Sequence, residues 1–102
     1  MSKERGSTRG VRILIVDDER IARENLDHVL RGQGYDTVCV PDGLAAIRDL
    51  EKEEFDLVLA DIRMQPVDGI QVLERARELY PNIEVIVITG YASVSSAVEA
   101  MR

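Results

Sequence analysis

Three uninterrupted runs of four apolar residues constrain the fold of this 102-residue chain more than any other feature. They are Ile13–Val16 (ILIV), Leu57–Ala60 (LVLA) and Val85–Ile88 (VIVI). None of them alternates with polar residues, so a strand formed by each run is expected to be buried on both faces. Such strands are typical of a parallel sheet covered by helices on both sides. A fourth, weaker strand is predicted over Thr37–Val40, ended by Pro41.

Helical periodicity fills the segments between these runs. Gly32 and Gly34 are expected to end the first helix, Asp42 and Asp68 to cap the second and third, and Pro81 to follow the third. The resulting order β-α-β-α-β-α-β-α predicts an α/β domain with a doubly wound parallel sheet. The apolar positions expected to face the core are Ala22, Leu26, Val29 and Leu30; Leu44, Ile47 and Leu50; Ile70, Leu73 and Ala76; and Val94, Ala97, Val98 and Met101.

Composition and charge limit the functions open to such a domain. The net charge of −6 and the total of only four Phe and Tyr residues argue against direct binding to nucleic acid. Cys39 is the only cysteine, so neither an internal disulfide nor a zinc cluster can form, which fits the reducing cytoplasm. We expect Cys39 to be a buried strand residue without catalytic reactivity.

No segment is expected to cross a membrane, because the longest purely aliphatic runs span four residues. Residues 1–10 are polar and contain no signal-peptide core, and they are expected to form a disordered lead-in to a domain over residues 11–102. The cytoplasm is therefore the expected location.

Polar residues follow three of the predicted strands at the points where those strands end. Asp17 and Asp18 follow the first run, Asp61 follows the Leu57–Ala60 run, and Thr89 follows the last. The carboxyl ends of parallel strands lie at one rim of a sheet, and ligands bind where the strand order reverses. For the order 2-1-3-4, that point falls between strands one and three, so the three acids are expected to converge with Thr89 beside them.

Three adjacent carboxylates repel one another unless protons or a cation compensate for their charge. Two unit charges about 4 Å apart interact at roughly 4 kcal/mol for an effective dielectric of about 20. Hard oxygen ligands without His or Cys favour Mg²⁺ or Mn²⁺. Helix capping is the alternative interpretation of an Asp at a strand–helix junction, but it explains a single position better than four positions together.

Four separated segments resemble the receiver domain of bacterial two-component response regulators. They are ILIVDDE, PDGLAAI, FDLVLADIRMQPVDGIQVL and VIVITGYASVSSAVEAM, which match in order over roughly residues 11–102. The resemblance implies the flavodoxin-like (CheY-like) fold. The last segment is most similar to receivers attached to enhancer-binding, AAA+ type transcription activators.

The resemblance also implies a role for each residue of the expected site. Asp61 matches the phosphoacceptor, and Thr89 matches the hydroxyl that contacts the phosphoryl group. Asp18 matches a direct Mg²⁺ ligand and Asp17 one that acts through water. Asp61 and the backbone carbonyl of Arg63 complete the implied metal ligands. The domain would assist its own phosphorylation and dephosphorylation without being an enzyme.

The implied partners are a sensor histidine kinase or phosphotransfer protein, which donates from a phosphohistidine, and a covalently attached output domain outside this chain. His28 is the only histidine and is expected to be an ordinary solvent-facing helix residue. An interaction or dimerisation module that keeps the fold without phosphorylation is the main alternative. A cofactor-binding flavodoxin-like enzyme is disfavoured, because the chain contains no G-x-G-x-x-G or G-K-[ST] loop.

Two departures from the family pattern affect these expectations. Receivers commonly have Pro directly after Met in the loop that follows the acceptor, whereas here Gln65 separates Met64 from Pro66. The family's fifth strand with its Lys, the switch aromatic and the fifth helix have no match, so the chain is expected to be a truncated receiver. An uncovered fourth strand is then expected to favour a homodimer or a domain-exchanged oligomer.

Overall fold

Strands and helices alternate along the whole described part of the protein. A computed structural model describes residues 10–88. The predicted helix Val94–Met101, Thr89 and residues 1–9 lie outside the described residues. The elements are β1 (Arg12–Val16), α1 (Arg20–Gly32), β2 (Asp36–Val40), α2 (Gly43–Lys52), β3 (Leu57–Asp61), α3 (Gly69–Leu79) and β4 (Glu84–Ile88).

The four strands form one parallel sheet in the order β2-β1-β3-β4. The predicted order 2-1-3-4 is thereby confirmed. β1 lies between β2 and β3, and Val16 pairs with Val40 on one side and with Ala60 on the other. Because β1 and β3 are direct neighbours, the residues that follow them reach the same rim of the sheet.

The core consists of two layers, one on each side of the sheet. Leu14 and Val16 face a cluster formed with α2 and α3, whereas Ile13 and Ile15 face a smaller cluster that contains Leu26 of α1. All four of these β1 side chains are 0–1% exposed. Full burial of such a side chain contributes about 1.5–3 kcal/mol, so the run that predicted a doubly covered strand also supplies much of the core.

The predicted core faces of the helices are partly wrong. Val29, Leu44 and Ile70 are 58%, 45% and 37% exposed. The fully buried positions of α2 and α3 are mostly small: they are Gly43, Ala46 and Leu50 in α2 and Gly69, Val72 and Ala76 in α3. Small side chains let the helices pack close to the sheet, which turns the neighbouring large aliphatic residues towards solvent.

Side-chain caps begin α2 and α3, as the sequence predicts. The Asp42 carboxylate accepts a hydrogen bond from the Ala45 N–H at 2.7 Å. Asp68 and Gln71 form a reciprocal capping box, in which each side chain accepts from the other residue's N–H at 2.9 and 3.0 Å. These caps hold the helix N-termini beside the carboxyl ends of the strands.

The C-terminal end of α1 is closed by backbone hydrogen bonds around Gly34, which has a φ of 94°. The Gly34 N–H donates to the Arg31 carbonyl at 3.0 Å, and the Tyr35 N–H donates to the Leu30 carbonyl at 3.2 Å. This pair of bonds is the Schellman arrangement, which requires a left-handed residue after the helix.

Polar contacts between α1 and β2 hold the helix on the sheet. The Thr37 hydroxyl, 6% exposed, donates to the Asp27 carboxylate, and Arg31 Nε donates to both of these groups at 2.9 and 3.0 Å. Cys39 is half-buried on the same strand, and burial raises the pKa of its thiol to about 11. A protonated thiol fits the expected unreactive role.

β4 forms one edge of the described sheet, and its Ile86 is 50% exposed. His28 lies exposed on α1, as expected. Among the helices within residues 10–88, none combines the length and the apolarity needed to cross a bilayer.

Candidate metal centre

Three carboxylates meet at the carboxyl ends of the two central strands. Asp17 and Asp18 follow β1 directly, and Asp61 is the last residue of β3. One oxygen from each of the three lies within 4.8 Å of the other two. Asp17 and Asp61 are 2% and 5% exposed, whereas Asp18 is exposed to solvent. The pairing of β1 with β3 therefore brings together the acids that the sequence places at the strand ends.

Backbone N–H groups orient the two buried carboxylates. Asp17 Oδ1 accepts a hydrogen bond from the Glu19 N–H at 2.9 Å, and Asp61 Oδ1 accepts one from the Arg63 N–H at 3.0 Å. Each contact spans two residues and is the turn that Asp side chains commonly form with their own backbone. One oxygen of each carboxylate is thus held by the chain itself.

Burial and like charge act together on Asp17. Burial raises the pKa of its carboxyl group, and the carboxylates of Asp61 and Asp18 raise it further, while the hydrogen bond from the Glu19 N–H lowers it. Within residues 10–88, no Lys or Arg side chain forms an ion pair with any of the three acids. Among the described residues, the negative charge of the cluster is thus not balanced by an ion pair.

A hard divalent cation matches this arrangement. The donors are all carboxylate oxygens, two of them are buried, and they are close enough to share one ion. Mg²⁺ and Mn²⁺ prefer such oxygen ligands, and Mg²⁺ keeps several waters, for which the exposed side of Asp18 leaves access. The spacing and chemistry of the acidic cluster are thus compatible with a bound metal ion.

Gly69 fixes the approach of α3 to Asp61. A Cβ added at Gly69 would lie 2.4 Å from the Asp61 carbonyl oxygen and 2.9 Å from its carbonyl carbon. No side chain fits there without displacement of the helix or of the strand end. Gly69 was not among the residues predicted for the site, although the Asp-Gly pair at the start of α3 is a signal visible in the sequence.

Two predicted site residues remain, Thr89 and Arg63, and the structure describes only the second of them. Thr89 lies outside the described residues. Arg63 is exposed, and its backbone N–H is bound to Asp61, while its expected carbonyl contact with a metal stays a prediction. Arg23 is a further residue that the sequence analysis missed, since its Nη1 donates to the Asp17 carbonyl at 2.8 Å.

The fold and the acidic rim together define a CheY-like, flavodoxin-type α/β domain. A family described as the response regulator receiver domain matches residues 13–102. This match covers most of the chain, and the chain belongs to that family. The fold and the family that the sequence analysis expected are both confirmed.

Similarity to curated proteins extends over nearly the whole chain but only part of the relatives. The transcriptional regulatory protein ZraR of Klebsiella oxytoca is 42% identical over 92 residues, which are 90% of this chain and 21% of that protein. The chain spans about a fifth of the length of the first curated relatives that it matches.

Two similar solved structures contain a metal ion together with a phosphorylated aspartic acid or BeF, and both are relevant to the acidic cluster. The response regulator TrrA from Thermotoga maritima, in complex with Mg²⁺-BeF, is 31% identical with a TM-score of 0.77, over 88% of this chain and 78% of that one. A response regulator from Burkholderia pseudomallei with a phosphorylated aspartic acid and a calcium ion is 26% identical with a TM-score of 0.75. The alignment covers 88% of this chain and 53% of that one.

Proposed function

We propose that this receiver domain accepts a phosphoryl group on Asp61 in a Mg²⁺-dependent reaction. The observation that carries the proposal is the convergence of the carboxylates of Asp17, Asp18 and Asp61 to within 4.8 Å at the rim of the sheet. Membership of the receiver family supports it, as do the phosphorylated aspartic acid and the Mg²⁺-BeF complex in the related structures.

Asp61 is proposed as the nucleophile because its carboxylate lies on β3, across from the two acids that follow β1. A carboxylate oxygen attacks phosphorus, the P–N bond to the donor histidine breaks, and its electron pair returns to the imidazole. The product is a mixed anhydride on Asp61. The Arg63 N–H holds the other carboxylate oxygen, Oδ1, at 3.0 Å, which orients the nucleophile.

Asp17 and Asp18 are proposed to hold the cation, with Asp61 and the Arg63 carbonyl as further ligands. A bound Mg²⁺ (or Mn²⁺) would supply charge neutralisation for the transferring phosphoryl group. Burial raises the pKa of the Asp17 carboxyl, which disfavours its charged form and is in line with a site that binds a cation. Thr89 is proposed to contact the transferred group through its hydroxyl.

The test is phosphorylation by a small donor, followed by mass spectrometry. The chain is incubated with acetyl phosphate and Mg²⁺, and the modified peptide is identified. We expect Asp61 to carry the phosphoryl group, and both Asp61→Asn and the addition of EDTA to abolish labelling. Asp36→Asn is the matched control, since it removes a carboxylate at the start of β2, on the opposite rim of the sheet.

Equal labelling of Asp61→Asn and the unmodified chain would show that the acceptor is another residue. A chain that binds Mg²⁺ but takes no phosphoryl group from any donor would favour the interaction module instead. These two outcomes separate an error in the assigned residue from an error in the assigned chemistry.

The wider assignments follow from the relatives. We propose that the donor is a sensor histidine kinase or a phosphotransfer protein, and that the receiver controls a transcription-regulating output domain of the enhancer-binding class in the cytoplasm. The name of ZraR, a transcriptional regulatory protein about five times as long as the matched segment, supports the output assignment. Phosphotransfer profiling against purified kinases tests the donor.

A further inference from the structure

Arg23 directs its guanidinium from α1 back to the end of β1. Its Nη1 donates to the Asp17 backbone carbonyl at 2.8 Å, and its side chain is partly buried. Arg20, three residues earlier, instead faces Glu24 at 3.7 Å and is 72% exposed. Two arginines of the same helix thus make different contacts, one with a surface side chain and one with the backbone of the acidic segment.

The Arg23 contact is one of three hydrogen bonds that hold Asp17. The Asp17 N–H donates to the Val40 carbonyl at 3.3 Å, and Asp17 Oδ1 accepts from the Glu19 N–H at 2.9 Å. With Arg23, the backbone N–H, the backbone carbonyl and one carboxylate oxygen of Asp17 all have partners. Asp17 is 2% exposed, so solvent is poorly placed to replace the guanidinium at that carbonyl.

This contact also restrains the backbone at Asp18. The Asp17 carbonyl and the Asp18 N and Cα belong to one planar peptide unit, so a fixed carbonyl restrains the positions of the Asp18 N and Cα, from which the side chain extends. Within residues 10–88, no side chain or backbone group forms a hydrogen bond or ion pair with the Asp18 carboxylate. Among the described residues, the backbone at Asp18 is therefore the restraint that limits how far this carboxylate can move from Asp61.

We propose that Arg23 is a positioning residue, which holds in place the backbone that carries the Asp18 carboxylate before the cation binds. The inference rests on the proposed function, because the cation and its ligands are themselves proposals. Arg23 is not a ligand: a guanidinium has only donors and carries a positive charge. Its effect on the metal is exerted through the Asp17–Asp18 peptide.

The hydrogen bond of Arg23 and its positive charge are expected to change the Mg²⁺ affinity in opposite directions, which makes the proposal testable. The positive charge of Arg23 repels a cation, so loss of that charge alone would strengthen Mg²⁺ binding. Loss of the hydrogen bond would weaken binding. Partners behind metal ligands typically change affinity by about 10- to 100-fold, and we expect about tenfold for a contact made through the backbone.

The experiment is a calorimetric Mg²⁺ titration of the full chain and three variants at a temperature where all are folded. Arg23→Met is expected to weaken binding about tenfold. Arg23→Lys keeps one donor and the charge, and it is expected to bind with intermediate affinity. Arg20→Met, the matched control, removes the same charge from the same helix and is expected to bind as tightly as the unmodified chain or slightly more tightly.

Unchanged or tighter binding by Arg23→Met would overturn the proposal, as would equal weakening in Arg20→Met. Thermal unfolding in EDTA distinguishes the positioning role from a purely structural one. If Arg23 only stabilised α1, its substitution would lower the melting temperature without changing the Mg²⁺ affinity. If Arg23→Met does not fold, the comparison of Arg23→Lys with Arg20→Lys decides. An unmodified chain that binds no Mg²⁺ would instead contradict the proposed function, and the inference with it.

Discussion

Asp18 is the exposed member of the three carboxylates, which makes its contribution to stability separable from its contribution to metal binding. Asp18→Asn removes one charge from three carboxylates that repel one another, so we expect the free energy of unfolding of the metal-free protein to rise by on the order of 1 kcal/mol. The same change should abolish Mg²⁺ binding, because a neutral amide is a weaker ligand. Denaturant unfolding in EDTA and calorimetric titration measure the two effects.

Glu19→Gln is the control for that substitution, since it removes an adjacent exposed charge from outside the cluster. It should leave Mg²⁺ affinity nearly unchanged. If Asp18→Asn binds Mg²⁺ as well as the unmodified chain, the assignment of the metal ligands is wrong.

At the scale of the elements, two glycines at the C-terminal end of α1 have different backbone conformations, so substitution by Ala is expected to have opposite effects at the two positions. Gly34 has a φ of 94°, a conformation that costs other residues about 1–2 kcal/mol. Gly32 is helical, and a Cβ added there meets nothing within 4 Å. We expect Gly34→Ala to destabilise the fold by about 1 kcal/mol and Gly32→Ala to stabilise it by about 0.5–1 kcal/mol.

Urea unfolding monitored by circular dichroism gives both values for this pair of variants. The two substitutions are chemically identical and two residues apart, so shared effects on the unfolded chain largely cancel. Destabilisation of similar size at both positions would contradict the Schellman end described for α1.

The contact between α1 and β2 predicts a pH dependence. The hydrogen bond from Thr37 lowers the pKa of Asp27 below its ordinary value of 3.8, and Arg31 contributes in the same direction. A lowered folded-state pKa gives stability that is present above pH 3.8 and is lost as the pH falls through the folded pKa. Asp27→Asn should therefore be less stable than the unmodified chain at pH 6, with a difference that shrinks below pH about 4.

Equilibrium unfolding at a series of pH values measures this difference. Asp49→Asn is the control, since it removes a carboxylate from α2, away from the contact between α1 and β2. If the stability difference between Asp27→Asn and the unmodified chain stays constant across the pH series, the negative charge of Asp27 does not stabilise its contact with Thr37 and Arg31.

At the scale of the whole molecule, the edge that β4 forms in the sheet of residues 10–88 is the feature with most bearing on association. Ile86 is 50% exposed on that strand, and unpaired strand edges readily pair with other chains. We expect the 102-residue chain to self-associate through this edge, and Ile86→Lys to reduce the association because it puts a charge there. Light scattering over a concentration series measures it.

Ile21→Lys is the matched control, since Ile21 is 63% exposed on α1, away from the edge. A monomer at every concentration would contradict the expected dimer. An equal effect of both substitutions would mean that general surface apolarity, and not the edge of the sheet, causes association.

Local apolar runs predicted the strands, and the order 2-1-3-4 expected of a doubly wound parallel sheet with right-handed crossovers then predicted the acidic rim. Apolar runs such as Ile13–Val16 need only burial on both faces, and parallel pairing then brings Asp17 and Asp61 to one rim. The contacts of Gly69 and Arg23 escaped prediction because they depend on how closely α3 and α1 approach the strand ends. The exposure of Leu44 was not predicted for the same reason. Small residues form the face of α2 that packs on the sheet, and Leu44 lies outside that face.

The pairing of β1 with β3 has a consequence for folding kinetics. Asp17 and Asp61 are distant in sequence and become neighbours only after the two central strands have docked in register, since a slip of one residue turns a side chain to the opposite face. Uptake of Mg²⁺ during refolding would therefore report when this long-range contact forms. Stopped-flow refolding in the presence of a Mg²⁺ indicator would separate the docking of the central strands from the earlier formation of local helix, which far-ultraviolet circular dichroism follows.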